Sequence, residues 1–329
     1  MNFFIQSADD KMRIDGSIQS NILDHFHYIV SSPAKADVCL VPISFFHDYK
    51  FNPKLWEISG KPYVFIDFTE LEWCYFNEKN ETHLFGKNTP DCRWLNPNWH
   101  PLHEWIRNHP PLIYFKRELL AKDVSDTVKP IEWPCYLPDM PMQSEEEFNK
   151  RPLEVFNNWG FSNPMRPKLH GDIFHAMNNG INVLSEASQY EGFMRDHPAS
   201  RAWMTVFTPW FSRIPITDLL YYQRRAKLSV SLPGCGIKCF RHAESPCESI
   251  MALPEDRLAW GIPWTHGDNC IRLRPDHLFE DLDAATKRSD LYQIYKRSQE
   301  TIARYRGGAY VRDYLFPLIE SRSPSMQDP

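Results

Sequence analysis

Apolar residues in this chain cluster in short runs, separated by longer segments in which they recur every third or fourth position. Phe3-Phe4-Ile5, Asp37 to Pro42, Lys61 to Asp67 and Leu112 to Phe115 are such runs, with Lys129 to Trp133 a weaker one. Several are continuous rather than alternating, as strands covered on both faces are. Between the first two, residues 17–30 place Ile18, Ile22, Phe26 and Ile29 on one helical face. The pattern restarts after residue 150 with Leu153 to Phe156, a helix from about 167 to 178, runs at 181–184 and 204–207, a helix that Thr217 caps and Arg225 ends, and the run Leu228 to Leu232. Residues 281–305 are amphipathic and mixed in charge and predict one or two closing helices. Strand and helix alternation of this kind predicts an α/β fold with crossover helices over parallel sheets.

The texture changes at 138–150, where prolines and Glu145-Glu146-Glu147 suggest a linker. The expected division is a first domain over 1–140, a linker at 141–150, a second domain over 151–310, and a closing helix and tail over 311–329.

Composition narrows the function classes. The 329 residues are 42% hydrophobic and 24% charged, enough for two cores. A net charge of -5 argues against a general nucleic-acid coat, which needs a basic face. No apolar run is long enough to span a bilayer, and the polar start lacks the features of a signal peptide. Eight scattered cysteines then read as reduced thiols, and the expected setting is cytoplasmic.

Residues 227–253 carry the chemistry. A buried strand stops at Pro233, and Gly234 and Gly236 permit close backbone approach. Lys238, Arg241, His242 and Glu244 crowd the next few positions. Ser245, Pro246 and Glu248 then match the N-cap, first and third positions of a helix with a capping box. A loop from a strand's carboxyl end to a helix N-terminus is where open α/β sheets bind ligands, and cations there suit a phosphate. Arg241 can grip phosphate oxygens in bidentate fashion, and Glu244 suits ribose hydroxyls. Each has a plainer reading, as a solvated charge (Lys238), a loop-closing salt bridge (Arg241 with Glu244) or, for Glu248, the cap alone. Residues 160–168 form a second loop, with Pro167 suited to a first helical position and Arg166 at the helix mouth. The spacing of Cys235, Cys239, His242 and Cys247 fits no common zinc site.

These pieces resemble the donor-binding segment of exostosin-like glycosyltransferases of the GT-B fold: Lys227, Pro233-Gly234, Arg241 and Glu244 in order. Ala36 to Pro42, Arg151 to Phe156 followed by Gly160 and Arg166, and Gly267 to Ile271 resemble three further segments of that family, so the match covers about 36–290. The stretch from Leu253 to Trp260 departs from the family's pattern. The resemblance implies two Rossmann-like domains facing each other across a cleft, a nucleotide sugar (UDP- or GDP-linked) in the second, and a glycan acceptor in the first, with Arg241 and Glu244 as donor contacts. It implies no tightly bound cofactor and no metal.

Transfer to a hydroxyl calls for a general base if it inverts. Asp67, at the end of the run 61–67, and Asp15, beside Gly16, are the candidates; the plainer readings are a structural cap and a turn residue. Two other readings remain: a transferase acting on hydroxymethylated bases of phage DNA, with Lys116, Arg117, Arg224 and Arg225 as a basic cleft, and a nucleotide-binding module without transfer activity.

Overall fold

The computed structural model describes residues 1–8, 26, 28–43, 51–68, 100–132, 135, 137, 140–159, 168–169, 172, 183–186, 202–207, 216–233, 238 and 241–323. Every strand pairing between its named strands is parallel. They form two sheets in two compact units, one of Met1–Tyr136, Arg257–Ile262 and Arg304–Pro329, the other of Leu137–Asp256 and Pro263–Ala303.

The first unit holds β1 (Phe3–Ile5), β2 (Val38–Ile43), β3 (Tyr63–Asp67), β4 (Ile113–Lys116) and β5 (Val128–Pro130), side by side in chain order. Right-handed connections in such an order all cross on one face. That face carries Cys39, Val41, Ile43, Tyr63, Phe65 and Tyr114, packed against Leu102, Trp105 and Ile106 of α1 (His100–Asn108). The other face needs a separate cover, and the chain's end supplies it. Phe316 meets Phe3 edge to face at 5.9 Å, and Val311, Leu315 and Ile319 of the same segment are buried. This is the physical reason the chain returns to its first unit.

The helix expected over 17–30 does not reach its predicted end. Tyr28 has φ 65°, and Val30 donates to Phe3 O while Phe3 donates to Tyr28 O. The segment is drawn alongside β1 as extended backbone, and pairing with the sheet outweighs the helical spacing of Ile29. Residues 17–25 lie outside the described set.

The second unit holds β6 (Leu153–Trp159), β7 (Val183–Glu186), β8 (Ala202–Phe207), β9 (Ala226–Val230), β10 (Ile250–Pro254) and β11 (Ile271–Leu273), in the order β11-β10-β9-β6-β8-β7. Val155, Leu228, Ile250, Ala252 and Ile271 turn one face toward α5 (Leu278–Thr286) and α6 (Leu291–Ala303). On the opposite face Phe156 stacks on Tyr222 of α3 (Ile216–Arg225). Thr217 lies inside the first turn of α3, and its hydroxyl donates to Asp218. From β6 the chain crosses to the edge strand β7 and returns to β8, whereas from β9 it moves the other way to β10 and β11, so connections leaving β6 and β9 diverge. Such a reversal opens a crevice at the carboxyl edge.

Residues 141–150, expected as linker, contain α2 (Glu145–Asn149), whose Ser144 and Glu147 form a capping box. The acidic run is its first turn, where carboxylates suit the helix dipole. Ser144 donates to the Glu147 carboxylate and holds it below the usual range. Phe148 is buried, stacked on Tyr295, and Arg151 lies over both rings at 4.6 Å. Arg151 also donates to Ala226 O and to Gln143 Oε1, and burial lowers its pKa to about 10. Arg151→Ala removes these bonds together and is expected to destabilise the second unit by about 3 kcal/mol, read as a lower denaturant midpoint.

Gly267 opens the turn between His266 and Cys270, just before β11, with φ +72°, and its N–H donates to Cys270 O. Gly267→Ala therefore forces an L side chain into the left-handed region and is expected to cost about 1 kcal/mol, checked by thermal denaturation.

Candidate functional site

β6 and β9 are hydrogen-bonded neighbours, with Phe156 opposite Ser229 and Asn157 opposite Val230. Both therefore deliver their following loops to the same edge, at the point where strand order reverses. Those are the two loops read from the sequence as ligand-binding. Ser231 continues the pairing by donating to Ala252 O at 2.7 Å, and Leu232 is buried, so the chain leaves β9 tightly held. Beyond it come Lys238 and the single turn α4 (Arg241–Glu244).

Lys238 is 1% exposed, and His242 and Glu244 are each 4% exposed. A charge so deeply buried must be compensated, because desolvation costs several kcal/mol per ion. An ammonium, an imidazole and a carboxylate are thus buried within seven residues of the connection that leaves β9, each with a partner inside the protein. A set of this kind can neutralise a phosphate and accept from hydroxyls. Arg241 begins the turn. Gly234, Gly236 and Arg166 lie outside the described residues, as does Asp15.

The helix expected to start at Ser245 does not form. α4 ends there, Ser245–Cys247 makes one 3-10 turn, and β10 follows at Ile250. The buried Ser245 hydroxyl caps nothing among the described residues; the Ser245 carbonyl accepts from both the N–H and the hydroxyl of Ser249. A capping box needs several helical residues after it. Here the apolar, strand-forming stretch Ile250 to Leu253 is pulled into the sheet between β9 and β11 instead. No α-helix therefore starts at Ser245, and among the described residues of 238–248 it is side chains rather than a helix dipole that supply positive charge. Glu248 sits just before β10, at the opposite edge, and pairs with Arg224 at 3.0 Å. Cys247 donates its thiol to Ala243 O. Among the described residues no cluster of His, Cys, Asp and Glu could hold a metal ion.

The first unit collects its own charges at the carboxyl edge of β3 to β5. Asp67 is fully buried; its Oδ2 accepts from Tyr114 at 2.5 Å, and its Oδ1 lies 3.2 Å from Lys116 Nζ. The register explains the contact: Asp67 lies opposite Lys116, and Tyr114 shares the face of Lys116 two residues earlier. Arg117 pairs with Glu118 at 3.1 Å, both buried. Glu132, just past β5, accepts from Gly261 N through Oε1, while its own N–H donates to the hydroxyl of Tyr310. The phenol of Tyr310 is held well above its usual pKa, chiefly by burial. Glu118 and Glu132 were not anticipated; the one signal was a charged run directly after an apolar strand.

The four basic residues considered as a nucleic-acid cleft are each engaged within their own unit. Lys116 and Arg117 are buried and paired, Arg224 is held by Glu248, and Arg225 lies over the Tyr221 ring at 5.0 Å. Among the described residues no helix is long and apolar enough to cross a membrane.

No protein-family model matches the chain, and no curated protein matches it. Solved structures similar to it include the Anabaena protein HepE in complex with UDP, at 9% identity and TM-score 0.49, covering 98% of this chain and 100% of that one. Another is an α,α-trehalose-phosphate synthase (UDP-forming) from Burkholderia xenovorans in complex with glucose-6-phosphate, at 8% identity and TM-score 0.46, covering 92% of this chain and 76% of that one. A third is the glycotransferase of kitacinnamycin, at 13% identity and TM-score 0.40, covering 97% of this chain and 86% of that one.

Proposed function

We propose that this chain is a glycosyltransferase of the GT-B class that moves a hexosyl or pentosyl group from a nucleotide sugar to a glycan hydroxyl, with the donor held by the second unit. The observation that carries the reading is the burial of Lys238, His242 and Glu244 beyond β9, beside the reversal of strand order. Lys238 and Arg241, with Arg166 from the neighbouring loop, neutralise the diphosphate as the glycosidic bond breaks, which is where such a reaction gains most from fixed charge. Glu244 accepts from the ribose hydroxyls, His242 donates to the donor, and Gly234 and Gly236 let the backbone approach it. No metal is needed where two or three cations do this work.

Of the two carboxylates considered for the acceptor base, Asp67 is held by a phenol and an ammonium on its two oxygens. That geometry suits a positioning group that fixes Lys116 and Tyr114 at the sheet edge. Asp15 is left as the candidate base.

The test is a thermal-shift screen of UDP, GDP, CMP and their sugars. A cognate ligand at 100 times its Kd stabilises its unit by about 2.7 kcal/mol. One nucleotide class is expected to raise Tm and the others to leave it unchanged; flat curves throughout would overturn the reading.

A further inference from the structure

A cavity of about 330 Å³ lies on the outer flank of the second sheet, beside its edge strand β11. It is separate from the loop beyond β9, since β10 intervenes between β9 and β11. Its lining includes Ile271 and Ala285, both buried, and around these apolar groups stand His266, Arg272, Arg274 and Arg288.

Each arginine is oriented by its own carboxylate. Arg274 grips Asp281 through Nε and Nη2, with the closest approach 2.6 Å. Arg288 grips Asp290 in the same way, at 2.9 and 2.7 Å. Arg272 reaches Asp256 at 3.0 Å. A guanidinium held along its Nε–Nη2 edge keeps two further N–H donors on Nη1. For Arg274 and Arg288 that second edge meets no acceptor among the described residues. The backbone N–H of Arg272 donates to His266 Nδ1 at 2.9 Å, which both caps the open edge strand and fixes the imidazole proton on Nε2. The cavity is thus bordered by three donor groups whose orientation is set beforehand, two of them cationic. The carboxylate of Glu255, on the same lining, is suited to hydroxyl donors.

We infer that this cavity is a binding site for a small phosphomonoester of a polyol, the phosphate taken by Arg274, Arg288 and His266 and a hydroxyl by Glu255. Orientation by the acidic partners means that little side-chain freedom is lost on binding. The site stands whether or not the loop beyond β9 binds a nucleotide.

The test titrates inorganic phosphate and glycerol 3-phosphate into the full chain at low ionic strength, following amide shifts by NMR. Saturable shifts of β11 and α5 residues are expected, with glycerol 3-phosphate binding more tightly than phosphate. Arg274→Gln and Arg288→Gln should each raise Kd at least tenfold. Ala284→Glu, at an exposed lining position that leaves every pair intact, should do the same by charge repulsion. Lys238→Met should leave this binding unchanged while abolishing any nucleotide response, which separates the two sites. Absence of saturable shifts near β11, or binding that survives both Arg288→Gln and Ala284→Glu, would overturn the inference.

Discussion

Replacing Glu244 by Gln, or Lys238 by Met, is expected to lower sugar transfer by about 100-fold or more and to remove the nucleotide's thermal shift. Loss of one preorganised charge or hydrogen-bond partner at a developing anion costs roughly this much in rate. Both substitutions keep the volume of a side chain that is almost fully buried, and because each group also has a partner within the protein, transfer and thermal shift are compared per folded molecule. Glu248→Gln is the control. It breaks the pair with Arg224 at the far edge of the sheet, so it should lower stability by about 1–3 kcal/mol and leave nucleotide affinity within twofold. The contrast matters because the two carboxylates are only four residues apart. A purely structural role for residues 238–248 would make all three variants lose stability alike, with transfer falling only as far as folding does. Nucleotide-dependent transfer at wild-type rates in Glu244→Gln and Lys238→Met would remove the basis for the donor site.

The separation of Glu244 from Glu248 was also the point at which the sequence misled. Ser245-Pro246-Cys247-Glu248 has the residue types of a helix start, and nothing within those four positions distinguishes a start from a stop. What decides is the stretch that follows, which finds two neighbouring strands to pair with. That information is non-local, so the strand Ile250–Pro254 was not anticipated although its residues are apolar throughout. Strands that announce themselves, such as Val38–Ile43 and Tyr63–Asp67, are apolar almost throughout, with a clear break before or after them. The same limit hid the return of residues 257–262 and 304–323 to the first unit. Their anchors, Gly261 N to Glu132 and the Tyr310 hydroxyl to the Glu132 N–H, join residues more than 120 positions apart. Lys238, His242 and Glu244 could be singled out because they lie within seven positions of one another; their burial could not be read there. Asp67 was legible as a strand-end carboxylate, but its partners Tyr114 and Lys116 were not, because β3–β4 register cannot be read from either strand alone.

That register carries the second large effect. Lys116→Met is expected to destabilise the first unit by about 3–5 kcal/mol. The cause is the carboxylate left behind: Asp67 and Lys116 are both fully buried, so removing the ammonium leaves a buried negative charge that keeps its hydrogen bond from the Tyr114 hydroxyl but loses its counter-ion. Asp67→Asn in the same chain should recover a good part of the loss, since the amide is neutral and still accepts from Tyr114. The double variant Asp67→Asn/Lys116→Met is therefore expected to be more stable than Lys116→Met alone, with a coupling on the order of 2 kcal/mol. Two units need not unfold together, so a single melting curve is a poor monitor. Hydrogen exchange at the amides of Val64 to Ile66 and Tyr114 to Phe115 reads the affected sheet directly. Simple additivity of the two substitutions would mean that Asp67 and Lys116 are neighbours without being partners. The carboxylate would then be free to serve as a base, and the positioning role assigned to it would fall.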